Sequence, residues 1–160
     1  MYIRNTTDYK TVRSVIDDWW GGRHVAQLFP KLFLQHFQDT CFVAEEDGKL
    51  VGFLVGFVSQ SKPGEAYIHL AAVHPDYRNR GIASALYDHF YQVVRARGCY
   101  TVRLVTSPTN KDSIAFHTRI GYQIEPGDGI VDSVPVILDY DGAGTSRVRF
   151  TLNISEQSRD

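Results

Sequence analysis

Apolar side chains at Tyr9, Val12, Val15, Ile16 and Trp19 recur at intervals of three and four, which places them on one face of a helix over residues 8 to 20. Gly21 and Gly22 end that helix, and a Phe-rich stretch from about residue 25 to 37, broken at Pro30, predicts a second one. From Cys41 the pattern changes to strand. Cys41–Glu46 and Lys49–Val58 flank Asp47-Gly48, a pair that readily takes the positive φ angles of a tight hairpin turn. The second of these strands is apolar on both faces and so belongs inside a sheet. After a polar turn containing Pro63-Gly64, residues 66 to 73 read as another strand, on which strict alternation sets Tyr67, His69 and Ala71 on one face.

Pro75 stops strand pairing, and residues 78 to 83 lead into a helix whose Ile82, Leu86, Phe90, Val93, Val94 and Arg97 form one stripe, with Gly98 as its terminator. A strand at 100 to 106, a loop at 107 to 110 and a helix at 111 to 120 closed by Gly121 follow. By βαβ logic the strand after that crossover runs parallel to the one before it. The chain is then irregular through residues 126 to 129, alternates briefly at 134 to 138, and ends in a strand of period two at 147 to 154. A single domain over residues 1 to 155 is expected, with a polar tail at 156 to 160, because 160 residues and 18.1 kDa suit one hydrophobic core.

Composition narrows the function classes. With 43% hydrophobic and 22% charged residues the chain is neither a disordered tail nor a coiled coil, and its net charge of -1 argues against a nucleic-acid or membrane-surface partner. Cys41 and Cys99 fit neither a metal-ligand spacing nor a disulfide framework, so free buried thiols and no metal are expected. The longest apolar run, residues 50 to 58, is too short to cross a bilayer, and the first residues lack a secretory pattern, so a cytoplasmic protein is expected. Charge is nevertheless uneven. Residues 78 to 119 carry seven basic side chains against Asp88 and Asp112, whereas residues 126 to 141 carry Asp128, Asp132, Asp139 and Asp141 and no Lys or Arg.

A strand end, a basic turn and a helix start converge over residues 70 to 86. Unpaired first-turn amides and the positive end of the helix dipole suit a phosphate group, and Gly81 lets backbone approach it closely. The turn lacks both G-x-x-x-x-G-K-[ST] and the first glycine of G-x-G-x-x-G, which disfavours ATP hydrolysis and dinucleotide binding.

Val73-His-Pro-Asp-Tyr-Arg-Asn-Arg-Gly-Ile-Ala resembles the pyrophosphate-binding motif [QR]-x-x-G-x-[GA] of the GNAT superfamily of acyl-CoA-dependent N-acetyltransferases, with Arg78, Gly81 and Ala83 in the matching places. Downstream, residues 110 to 122 resemble that family's N-x-x-A-x-x-x-Y-x-x-x-G-[FY], matched by Asn110, Gly121 and Tyr122. The resemblance implies an α/β (α+β) fold with a mixed, mostly antiparallel central sheet flanked by helices. It implies acetyl-CoA as co-substrate at the mouth between the strands ending near Val73 and Thr106, and direct acetyl transfer to an amine of a small molecule or peptide. Ala72, Val73, Arg78, Asn79, Arg80, Gly81, Ile82, Ala83, Ser84, Asn110 and Ser113 become the expected cofactor contacts.

Ser113 replaces a frequent alanine, and His117 stands where the family usually has the tyrosine that protonates the leaving thiolate. By resemblance His117 is the candidate acid, because imidazole can hold a proton near neutral pH; the other reading is a hydrogen-bonded core histidine. His69 occupies the place of the glutamate that many relatives use as base, and a plain strand histidine is its other reading. On the acceptor side, Trp19, Trp20 and Arg23 together with an acidic rim at Asp139 and Asp141 are expected to receive a cationic amine, the alternative being a solvated loop. Exposed edge strands leave room for a homodimer. A non-catalytic acyl-CoA-binding or sensing module is the rival to an enzyme.

Overall fold

The computed structural model describes residues 1–19 and 26–155. They divide into two compact units, Met1–Cys99 and Tyr100–Asp160.

The first unit is a four-stranded antiparallel sheet, β1 (Tyr2–Arg4), β2 (Cys41–Glu46), β3 (Lys49–Val58) and β4 (Glu65–Val73), in that order. Strand β1, too short to show periodicity, escapes the sequence pattern; it pairs Arg4 with Val43 and adds an Arg4–Glu45 ion pair at 2.6 Å. The β2–β3 turn falls on Asp47 and Gly48 as expected, with φ of 50° and 74°. Helices α1 (Tyr9–Trp19) and α2 (Leu32–His36) cover one face. The Phe-rich stretch is less helical than its pattern: a 3-10 turn at Ala26–Leu28 and α2 straddle Pro30, which cannot continue a helix. Val12, Ile16, Trp19, Phe29 and Leu34 pack there on Val43, Phe53 and Val55.

Helix α3 (Ile82–Arg95) covers the opposite face and buries Ile82, Leu86, Tyr87, Phe90, Tyr91 and Val94. Its contact with β3 depends on glycine. A Cβ at Gly56 would lie 2.6 Å from the Phe90 ring and 2.7 Å from the Tyr67 carbonyl oxygen, so no larger residue fits beneath this helix. Arg97, expected on the buried stripe, is instead exposed beyond the helix end and pairs with Asp39 at 2.7 Å.

The second unit is an antiparallel sheet in which β9 (Val148–Asn153) lies between β5 (Thr101–Thr106) and β6 (Gln123–Ile124). Both β5 and β6 run against β9, so the crossover through α4 (Lys111–Arg119) does give two strands of the same direction, with the last strand inserted between them. A separate hairpin, β7 (Gly129–Val131) and β8 (Val134–Val136), follows the irregular segment, with β8 inside the brief alternation expected at 134 to 138. Its turn uses positive φ at Asp132 and Ser133, residues that tolerate this conformation less readily than glycine, so the pairing of β8 with β7 had no turn signal in the sequence.

Candidate functional site

The turn from β4 into α3 has the backbone of an anion cradle. Arg78, Asn79, Arg80 and Gly81 are exposed, and positive φ alternates along it: 62° at Asn79 and 80° at Gly81. Gly81 is the N-cap of α3 and brings no side-chain cap, so the amides of Ile82, Ala83 and Ser84 open the helix as free donors at its positive end. An added Cβ on Gly81 would meet nothing within 4 Å, so the glycine answers to its φ and not to crowding. Arg80 lies over the Tyr77 ring at 4.9 Å. Arg78 departs from the expected cofactor contact: its Nη2 donates to the Trp19 carbonyl at 2.5 Å and its Nε to the Val73 carbonyl at 3.4 Å, turning the guanidinium toward the end of α1.

Ala72 and Val73 are half-buried at the end of β4, opposite Phe53 and Gly52 of β3. Upstream the ladder skips one residue. Val55 faces Leu70 and Gly56 faces Ile68, so His69 is the extra residue of a β-bulge. The bulge overturns the strict alternation expected for this strand: Tyr67, His69 and Leu70 address the α1–α2 face, while Ala71 and Val73 address α3. His69 stacks on Phe33, with ring centroids 4.8 Å apart, and its Nε2 lies 2.5 Å from the Leu28 carbonyl oxygen. That carbonyl can only accept, so Nε2 carries the proton and Nδ1 of the neutral ring is the basic nitrogen.

Trp19, expected at the acceptor mouth, is a core residue that stacks on Phe53 at 5.6 Å, with its edge against His74. Trp19, His74, Asp18, Lys49 and Leu50 border a cleft of about 450 Å³. Trp20 and Arg23 lie outside the described residues.

In the second unit Asn110 caps α4, its side-chain oxygen accepting from the Ser113 amide at 3.2 Å. His117 is 6% exposed and lies among the rings of Phe116, Tyr122 and Phe150. Its Nδ1 donates to the Ser113 carbonyl at 2.7 Å, with Ser113 Oγ at 3.2 Å. Burial outweighs that hydrogen bond and pushes the imidazole down to about 4, so the ring is neutral at pH 7. The expectation that it holds a proton near neutral pH is corrected by desolvation among these rings. The acids expected as a rim have partners of their own. Asp141 pairs with Arg147 at 2.7 Å and Asp132 with Lys111 at 3.5 Å, while Asp139 and Asp128 accept from the amides of Gly144 and Leu138. These carboxylates build the loop that carries them.

Residues 9–122 match the Acetyltransferase (GNAT) family. The chain belongs to that family. An N-acetyltransferase of Methanocaldococcus jannaschii is 31% identical over 119 residues, 72% of this chain, and the chain spans only 53% of that relative's length. A GNAT-family protein of Desulfovibrio desulfuricans has a similar fold, with a TM-score of 0.77 at 21% identity over 96% of this chain and 99% of that one. So does yncA of Salmonella typhimurium, solved with acetyl-CoA, with a TM-score of 0.67 at 17% identity over 100% of this chain and 97% of that one. The GNAT fold is a mixed α/β architecture with a mostly antiparallel sheet flanked by helices, as expected here. No described helix is long and apolar enough to cross a membrane.

Proposed function

We propose that this chain transfers the acetyl group of acetyl-CoA to an amine by direct attack, without a covalent enzyme intermediate. The observation that carries the reading is the turn at Arg78–Gly81, whose left-handed residues and uncapped helix start offer backbone donors to a pyrophosphate in a GNAT chain. Asn110 is assigned to the donor by the family motif, and Ser113, whose amide it caps, is assigned with it.

Most of a primary amine is protonated at neutral pH, its pKa being about 10.4, so attack on a thioester needs a proton acceptor. The bulge and the Leu28 carbonyl make His69 the best-prepared base: a ring in fixed orientation whose tautomer leaves Nδ1 free of its proton. The C–N bond forms as the amine proton passes to His69 Nδ1 and on to solvent. The C–S bond breaks to a thiolate, and a thiol pKa of about 8.5 lets it depart and take a proton from water. His117 is left as the ring that orders Ser113 and the core beside it.

Thiol release from acetyl-CoA over a panel of amines tests the reaction, with His69→Gln expected to lower turnover about 100-fold. Unchanged turnover in that variant removes His69 from the mechanism. CoA binding with no amine-dependent release by the wild type makes the chain a sensing module instead.

A further inference from the structure

Helix α1 ends on Asp17-Asp18-Trp19 and has no basic residue in its last turn, so it sets two carboxylates against the negative end of its own dipole. A compensating cation comes from the anion turn: Arg78 Nη2 donates to the carbonyl of Trp19, the last residue of the helix, at 2.5 Å. Two residues earlier on the same helix a second set of hydrogen bonds begins. Asp17 Oδ1 accepts from the Ala26 amide at 2.8 Å, Ala26 opens the 3-10 turn that ends at Leu28, and the Leu28 carbonyl holds His69 Nε2 at 2.5 Å. The Trp19 ring packs on His74, whose Nδ1 accepts from the Asp76 amide and so caps the short turn leading to Arg78.

We infer that Arg78 is a positioning residue that couples occupation of the pyrophosphate turn to the orientation of His69, through the end of α1 and the Ala26–Leu28 turn. The inference rests on the acetyl-CoA reading above and extends it. When an anion orders the backbone of residues 78 to 81, the guanidinium is fixed on the Trp19 carbonyl. The last turn of α1 then frays less, and Asp17 holds Ala26, hence Leu28 and His69, in one place. By linkage, the same bonds strengthen donor binding when His69 is ordered.

The test uses the intact chain, CoA as probe, calorimetry for affinity, and NMR for amide exchange at Ala26 and for the imidazole nitrogens of His69. In the wild type, CoA slows exchange at Ala26 and shifts the His69 signals. In Arg78→Met, free Ala26 exchanges about tenfold faster and CoA still binds through backbone amides, yet neither probe responds to it. Arg78→Lys, which keeps the cation, restores both responses, and Asp17→Ala loses them with Arg78 intact. Responses in Arg78→Met equal to those of the wild type overturn the coupling, as does a wild type that binds CoA with His69 and Ala26 unmoved. A wild type that does not bind CoA overturns the donor reading, and the coupling with it, a result that calorimetry separates from the others.

Discussion

Replacing His117 by Phe should make the protein more stable than the wild type in mild acid while changing little near neutrality. The unfolded imidazole titrates near 6.5 and the folded one at about 4. Between those values the unfolded chain binds a proton that the folded chain refuses, so stability rises with pH there. The contribution of the neutral ring is complete above 6.5 and is lost as the pH falls through the folded value. The full span is about 3 kcal/mol, and about 2 kcal/mol of it is gone at a pH of about 5. Phe fits the site, since Phe116, Tyr122 and Phe150 already surround the ring, and the lost hydrogen bond ends on a helix carbonyl that the backbone also serves. Urea unfolding of both proteins from a pH of about 7.5 down to about 5 isolates the effect, because other titrating groups cancel in the difference. The variant should gain about 2 kcal/mol relative to the wild type across that range. A difference that stays flat with pH refutes the buried neutral ring. Thiol release by the same variant should be retained, and its loss would return His117 to the chemistry.

Gly56→Ala puts a methyl group against the backbone oxygen of Tyr67, which cannot move as a side-chain tip can; a loss of about 2 to 3 kcal/mol is expected, read as a Tm lower by about 4 to 10 °C. A Tm within about 1 °C of the wild type would show that α3 rides higher on β3 than described. Glu125 joins Arg103 at 2.6 Å and Arg149 at 2.9 Å in the second unit. Glu125→Ala should cost about 1 to 2 kcal/mol in urea unfolding, less in high salt because both guanidinium groups reach water; a salt-independent loss would assign the effect to packing.

Long elements with a clean period were legible in the sequence. The stripe of α1, the Asp47-Gly48 hairpin and the Gly81 helix start each have one physical cause within a few residues, and the structure has them where those causes fall. What escaped depends on partners remote in sequence. The bulge at His69 arises from register against β3, and no alternation count along β4 reveals it. Two of the four acids of residues 126 to 141, Asp132 and Asp141, pair with Lys111 and Arg147, one before the segment and one after it, so charge counting within the segment could not find their partners. Arg78 matched a motif letter correctly, while the destination of its side chain, 59 residues away, had no sequence signal.

The two motif histidines show how such distant partners decide chemistry. In the sequence, His117 stands at the family's acid position and His69 at its base position, with equal claims. In the structure, each neutral ring is set by a backbone carbonyl, but from opposite nitrogens. At His117 the carbonyl of Ser113 takes Nδ1–H, and the surrounding aromatic rings penalise the second proton that an acid must carry. At His69 the carbonyl of Leu28 takes Nε2–H, and the second proton is the one a base must accept, on a half-buried ring at a bulge that departs from the packed ladder. A carbonyl thus orients each imidazole, and at His117 burial among aromatic side chains outweighs the pull of that carbonyl on the proton. The difference between base and core residue therefore lies in the surroundings of the second nitrogen.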